Sequence, residues 1–397
     1  MPNSDLFKIS SSEFHRWWNS ERFRGIIYQL LLVMTVLIIG WILVANTLTN
    51  LDSRNIATGF KFLDREAGFG ISEHLINYKP SDSYLRAFKV GLLNTLRVAT
   101  IGIVLATILG IIIGIARLSR NWIVVRLAAT YIEAVRNVPV LLLLLFCYSI
   151  ITISLPLTRV AFNLFDRIFV SNRGIHIPSL IWDINSLIVL LTLVASVLLS
   201  IGIGYWSHWH QKKDRRDFPI LLISLILIIG LPSLVFLMIG AKLSFDIPHL
   251  VGFNFTGGTT FSPEFIALLL GLVIYTSAFI AEIVRSGILS VSYGQTEAAL
   301  SLGLSNIQVL RLVVLPQSLR VIIPPLTNQY LNLVKNAPLA VSIGFPDLVS
   351  IANTAINQTG QAIEGVFIIM SIYLIISLSI SFFMNWYNKR IALRGGH

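Results

Sequence analysis

The apolar residues of this chain are clumped into runs long enough to cross a bilayer, and this limits the possible folds more than any other feature. The runs lie at residues 26–45, 88–116, 138–157, 184–206, 218–240, 263–285, 318–338 and 366–386. Each is near the roughly 20 residues that a spanning helix needs. Only 12% of residues are charged and the mean hydropathy is +0.78, which excludes a disordered chain and argues against a water-soluble globular enzyme. The expected fold class is all-α, a polytopic membrane protein with about eight transmembrane helices. The seventh run is the most interrupted, by Pro324, Pro325, Asn328, Asn332 and Lys335. The first run competes with a signal peptide, whose apolar region should be ~7–15 residues ending at a small-residue cleavage site. Its length and the following Asn46-Thr47-Leu48 favour an uncleaved span.

Charge gives the orientation. The net charge of +11 reflects 30 Lys and Arg against 19 Asp and Glu. No basic run exceeds four charges, so a nucleic-acid partner is not expected. Excess Lys and Arg is what cytoplasmic loops of membrane proteins carry. With the N-terminus inside and strict alternation, the inside segments 1–25, 117–137, 207–217, 286–317 and 387–397 hold 16 Lys and Arg. The outside segments 47–87, 158–183, 241–262 and 339–365 hold 9. The C-terminus, with Lys389, Arg390 and Arg394, then also lies in the cytoplasm. The outside loops are too short for a receptor domain, so high-affinity solute recognition falls to a separate chain. The lone Cys147 makes neither a disulfide within the chain nor a metal site, and the seven histidines show no zinc spacing. No cofactor is expected. A Walker A sequence is also absent, so energy must come from a partner or an ion gradient.

The inside segment 286–317 is the longest, and it carries few charges. Thr296 suits an N-cap, Gly303 suits a positive φ that stops the helix, Ser305 or Asn306 suits a second cap, and Pro316 prevents a simple continuation. The segment therefore codes for helix, sharp turn, helix. Its apolar residues, among them Ala298, Ala299, Leu302, Leu304, Ile307, Val309 and Leu310, fit either a docking surface or a pair of helices resting on the bilayer.

Glu297-Ala298-Ala299, then Gly303, then Val313 and Leu315-Pro316 resemble the EAA loop of binding-protein-dependent ABC importer permeases, with Val313 where that family usually has isoleucine. Gly91-Leu92-Leu93-Asn94-Thr95-Leu96-Arg97 and Tyr131-Ile132-Glu133-Ala134-Val135-Arg136-Asn137-Val138-Pro139 look like core-helix starts of its polar-amino-acid group. Phe279 to Gly287 and Leu331 to Leu339 look like that group's later core helices. The resemblance covers about 88–386 in pieces. The early extra span and the insertion are similar to the large permeases of general L-amino-acid (glutamate/glutamine/aspartate/asparagine type) importers.

The resemblance implies a type I ABC importer (MetI-like) permease core over 88–386, with inserted spans at about 184–240 and an extra region at 1–87. It implies a cytoplasmic EAA coupling loop over 295–316, on which Glu297, Ala298, Ala299, Gly303, Leu315 and Pro316 seat a separate ATPase, and a cytoplasmic tail over 387–397. It also implies as partners a cytoplasmic ABC ATPase dimer, a second homologous permease and a periplasmic solute-binding protein that delivers an amino-acid solute. The place is the bacterial inner membrane, with lipid around the bundle, and the chain itself is not an enzyme.

Intramembrane polar residues are functional candidates by default. Asn328, Asn332 and Lys335 share one helical face, suited to the carboxylate and ammonium of an amino acid or to interhelical hydrogen bonds. Glu282 and Arg285 are spaced for an i,i+3 ion pair, with solute contact by Glu282 as the other reading. Arg97 suits a carboxylate or a structural pair. Pro324-Pro325 is expected to break or kink the seventh span near Ile322. The alternative function is a secondary transporter driven by an ion gradient, which calls for a second half with its own discontinuous helix.

Overall fold

The computed structural model describes residues 21–53, 58–181, 183–211, 220–240 and 244–393. Expectations for residues 1–20, 212–217 and 394–397, where much of the inside positive charge falls, lie outside the described residues. The first helices are α1 (Glu21–Ser53), α2 (Tyr84–Ala116), α3 (Trp122–Arg136) and α4 (Val140–Ser149). The insertion supplies α5 (Ile184–Gln211), α6 (Ile220–Leu225) and α7 (Leu231–Ile239). The chain then forms α8 (Pro263–Leu289), α9 (Tyr293–Ser301), α10 (Asn306–Val309), α11 (Leu315–Asn336), α12 (Leu348–Thr359) and α13 (Ala362–Leu393). Among the described residues, seven helical stretches are long and apolar enough to cross a membrane, or eight if the bent pair α3 and α4 counts as one.

Most of segment 117–137, read from the sequence only as an inside segment, is α3, begun where the Asn121 side chain accepts from the Ile123 N–H at 2.9 Å. Pro139 disfavours helical backbone at Val138, and the chain turns 106° into α4 and its π turn Ile150–Ser154. Prolines also explain two other π turns. Ile226–Gly230 precedes Pro232, and Leu310–Val314 precedes Pro316. The wider turn absorbs the hydrogen bond that each proline cannot donate. Pro316 thus prevents a simple α-helical continuation, as expected, by way of a π turn, and Asn306–Ile343 still runs as one candidate span. Of the break or kink expected at Pro324 and Pro325, no break forms, because α11 is helical throughout. They leave the Arg320 and Val321 carbonyls without ladder donors, on a side of α11 that its own bundle does not cover.

The described residues also hold short strands: β1 (Phe162–Leu164), β2 (Ile168–Ser171), β3 (Gly174–Ile177), β4 (Ser179–Leu180), β5 (Phe245–Asp246), β6 (His249–Val251), β7 (Asn254–Thr256) and β8 (Thr259–Phe261). One antiparallel sheet has the order β1-β2-β3-β8, with Phe169 opposite His176 and Ile175 opposite Phe261. β4 pairs with β5, and β6 with β7. Residues 158–181 and 244–262 thus fold together into a small cap at the end of α8 opposite α9. The bundle is helical as expected, and this cap is an addition to it.

The core centres on α2 and α8. In lipid the hydrophobic effect does not drive helices together, so close van der Waals packing must. A Cβ at Gly110 would lie 2.6 Å from the Cβ of Ile280, and one at Gly114 would lie 2.7 Å from the Ala281 carbonyl oxygen. The Gly110-x-x-x-Gly114 spacing therefore works as packing. Leu268, Leu272, Ile280, Leu333 and Val334 fill the seam, fully buried. A second cluster joins Phe62, Tyr78, Tyr84 and Phe88 to Leu348 and Ile351, fastening the 58–83 segment and α12 to α2. Outside this core, none of the most apolar stretch of α1 is buried, and almost none of α5 or α7.

Replacing Gly110 with leucine forces α2 and α8 apart and should destabilise the chain by about 1–3 kcal/mol or more. Gly202→Leu, at an α5 position with open space around its Cβ, should be silent. Thermal melting of the detergent-solubilised protein tests the pair.

Candidate functional site

The cytoplasmic-type helix–turn–helix forms as expected, with one changed cap. Ser290 closes α8 through its N–H to the Ser286 carbonyl at 2.9 Å, and Ser292, in extended backbone, starts α9. Thr296 therefore sits inside α9 rather than capping it. Gly303 has φ +81°, and its N–H reaches the Leu300 carbonyl at 2.9 Å while the Leu304 N–H reaches that of Ala299 at 3.3 Å. This left-handed closure suits glycine. Ser305 then starts α10 with a reciprocal capping box. Its Oγ accepts from the Gln308 N–H at 3.4 Å, and Gln308 Oε1 accepts from the Ser305 N–H at 2.9 Å.

The turn sorts the loop's apolar residues into two sets. Ala299 and Val309 are buried and fasten α9 to the following helix. Leu302 and Ile307 are 83% and 78% exposed, flanking the turn. Glu297, Ala298, Gly303, Leu315 and Pro316 are also exposed. Ala299 is thus the one EAA-type residue used internally.

On α11 the two faces differ sharply. Ile322, Ile323, Leu326, Leu333 and Val334 are buried, whereas Asn328, Asn332 and Lys335 are exposed. Gln317 and Arg320 extend that exposed polar stripe toward α10. Their helical spacing from Asn328 was legible in the sequence, but sequence reasoning did not single them out. The stripe faces away from this chain's own bundle.

Two candidates are already engaged. Glu282 Oε1 pairs with Arg285 Nη2 at 2.6 Å, the i,i+3 ion pair expected. Arg97 Nη1 pairs with Glu73 Oε1 at 2.7 Å, and its guanidinium lies 4.2 Å from the Phe265 ring. Glu73 Oε2 accepts from the Ser262 hydroxyl at 2.5 Å, and that oxygen in turn caps α8 by accepting from the Phe265 N–H at 3.1 Å. Glu73 and Ser262 were missed because nothing in their sequence surroundings links them to Arg97.

Beside this pair lies a buried polar knot, also unforeseen. Asn94 donates both amide hydrogens, to the Glu73 carbonyl at 2.8 Å and the Pro346 carbonyl at 2.9 Å. Asp347 caps α12 through Oδ1, which accepts from the Ser350 N–H at 2.8 Å. Among the described residues, Asn94 Oδ1, Asp347 Oδ2 and Tyr373 Oη are buried without hydrogen-bond partners. Burial pushes the Asp347 carboxyl from its ordinary 3.8 to about 7, against the opposing pull of backbone N–H donors at Ser350, Val349 and Asp347 itself. No group of three or more His, Cys, Asp or Glu among the described residues is arranged to hold a metal.

The folded chain thus holds the Asp347 proton more tightly than the unfolded one. This group's contribution to stability is full below about pH 3.8, falls as pH rises toward about 7, and is flat beyond. Asp347→Asn keeps a capping oxygen but cannot ionise. Melting temperature between about pH 5 and 8 should fall in the wild type, by up to a few kcal/mol of stability, and less in the variant.

Residues 200–393 match the family described as binding-protein-dependent transport system inner membrane component. The chain is 52% identical to YhdX of Escherichia coli (strain K12), named as an amino-acid ABC transporter permease protein, over 93% of this chain and 94% of that one. It is 46% identical to the general L-amino acid transport system permease protein AapQ of Rhizobium johnstonii, over 94% and 93% of the two chains. It is 38% identical to the glutamate/glutamine/aspartate/asparagine transport system permease protein BztB of Rhodobacter capsulatus, over 94% and 95%.

Proposed function

Because the chain belongs to the binding-protein-dependent transport system inner membrane components, among the amino-acid ABC transporter permeases, we propose that it forms half of the pathway of an ATP-driven importer of L-amino acids. The observation that carries the proposal is the capped helix–turn–helix with Leu302 and Ile307 exposed beside Glu297. A helix pair resting on lipid would carry Lys and Arg on its polar face. Here Arg311 is the only basic residue between Ser286 and Gln317. A protein groove suits this surface better, and the ATPase supplies it. A separate ATPase dimer hydrolyses ATP, and a periplasmic binding protein delivers the solute. This chain is the non-catalytic permease, with both termini in the cytoplasm.

The second permease covers the exposed stripe of α11. Asn328, Asn332 and Lys335, with the bare carbonyls of Arg320 and Val321, then face the shared pathway rather than lipid, where they would be costly. Lys335 and the Asn amides donate to the solute carboxylate, and the Asn carbonyls accept from its ammonium. Arg97 and Glu282 serve this pathway at most indirectly, since each is held in an ion pair. The unbroken course of α11 takes away the discontinuous helix on which the ion-gradient alternative relied.

Glu297→Lys and Leu302→Asp should each weaken ATPase retention during purification by about 30-fold or more, as expected for a docking hot spot. Full retention with both changes would refute the docking role. Lys335→Met should keep the ATPase bound but lower ATP-dependent uptake into proteoliposomes, and unchanged uptake would remove Lys335 from the pathway.

A further inference from the structure

The cap encloses a titratable side chain of its own. His176 of β3 is 4% exposed, and its cross-strand partners are Phe169 of β2 and Thr260 of β8. Its Nδ1 lies 2.9 Å from the Thr260 hydroxyl, while Nε2 is buried without a hydrogen-bond partner. The β6–β7 hairpin lies over this row. The Phe255 ring of β7 is centred 4.5 Å from the imidazole and 4.6 Å from the Phe169 ring. Among the described residues, β6 and β7 pair only with each other. The hairpin therefore rests on the cap through side chains. Besides Phe255 these are Asn254, which takes the Arg173 guanidinium, and Phe253, which lies 4.2 Å from that of Arg159.

Protonation changes what this place can hold. An imidazolium is a donor at both nitrogens. Nδ1–H can donate to Thr260, but Nε2–H would be a charged, buried donor with no acceptor. No carboxylate is at hand to offset that cost. β1, β2, β3, β6, β7 and β8 contain no Asp, Glu, Lys or Arg, and their other titratable side chain is the exposed His249 of β6. The charges beside the strand ends are engaged elsewhere or are cations. Arg173 and Arg159 hold the hairpin, and Arg167 is exposed. Asp166 accepts from the Asn163 amide at 2.5 Å, and Asp246 accepts from the Gly258 N–H at 2.9 Å. Burial accordingly holds the His176 imidazole below its ordinary 6.5. Its contribution to stability is full above about pH 6.5 and is lost as pH falls through the lowered value.

We propose that His176 is an acid-sensitive latch for the β6–β7 hairpin. Neutral, the ring is the platform on which Phe255 sits. Charged, it gains water at Nε2 when the hairpin lifts from the sheet. The hairpin is the part that gives, because β2, β3 and β8 are joined by ladder bonds and the hairpin is not. Gly257 and Gly258, at φ +79° and +66°, link β7 to β8, and glycine leaves such a joint free to change its dihedrals. That the latch answers to acidity outside the cell rests on the function proposed above, whereas the latch itself rests on the cap alone.

The test is hydrogen exchange read by mass spectrometry on the full-length chain, purified with its partner subunits. It is run between about pH 4 and 8 and corrected for the intrinsic pH dependence of amide exchange. Protection of residues 249–256 should fall severalfold in the wild type as pH drops below about 6.5. That of α2 and α8 should not fall, since the contribution of Asp347 grows in the same direction. His176→Phe keeps a ring under Phe255 but cannot ionise, so its protection should stay flat down to about pH 5. His249→Gln, at the exposed histidine of the same hairpin, should respond as the wild type does. Constant wild-type protection, or His176→Phe losing it as the wild type does, would overturn the proposal. So would a wild-type midpoint near 4, the carboxylate range, which would assign the response to Asp246 or Asp166. That midpoint decides the matter even where His176→Phe fails to fold.

Discussion

The contact between α2 and α8 is the constraint on which the rest of the structure depends. Lipid is as apolar as leucine, so nothing presses two helices together except the quality of their fit. Gly110 and Gly114 supply that fit by removing the side chains that would hold the backbones apart. Everything else is registered from this seam. α4 lies along α8 through Leu144 at Gly271, and α11 meets α8 through Ile322 at Gly287. Tyr131 reaches across to the Ile274 carbonyl and the Ser277 hydroxyl. α1 and the α5–α7 hairpin lack such small-residue contacts and lie almost bare, whereas α13, whose most apolar stretch is equally unburied, is fastened through Gly365 at Ile356 of α12.

The opposite ends of the bundle are stabilised in different ways. At the α9 end, local hydrogen bonds suffice, because a capping box and a left-handed glycine fold the turn with few contacts to the body. At the other end the holding groups come from distant parts of the sequence. Glu73, Arg97, Ser262 and Asn94 join the 58–83 segment to α2 and α8, and Glu364 accepts from the Gly59 N–H at 2.5 Å. Buried charge is tolerable there because each oxygen of Glu73 has a donor. Asp347 lacks one for its second oxygen, and the cost appears as a carboxyl that holds its proton to about neutral pH.

What could be read in the sequence follows the same division. The long apolar spans, the Gly303 turn and the Ser305 cap depend on residues near one another, and the structure has them where the sequence indicates, except that the third run yields only α4 and its π turn, bent from α3. The i,i+3 pair Glu282 and Arg285 is equally local. The sequence misled at Pro324 and Pro325, where no break forms. A missing donor does not have to end a helix when a π turn can absorb it, and neither Pro316 nor Pro324 shows in its own surroundings which will happen. The bend at Pro139 is the converse case, because there the preceding residue leaves helical backbone. Arg97 could not be assigned without Glu73, whose partners lie 24 and 189 positions away. The strands of the cap were hidden because each is only two to four residues long and pairs across the whole inserted hairpin.

The unbroken helix from Asn306 to Ile343 has a mechanical meaning. The short helix beside the turn and the polar stripe of α11 belong to one continuous helical stretch, joined through a π turn. Lys335 lies 29 residues along that stretch from Asn306, about 44 Å at the rise of an α-helix. A tilt of about 10° at the turn would move Lys335 sideways by roughly 8 Å, more than the width of an amino acid's backbone. The chain thus contains a lever whose short end is surface-exposed and whose long end carries the polar stripe. A small angular displacement at the turn is enough to carry the far end of the polar stripe by the size of a small solute.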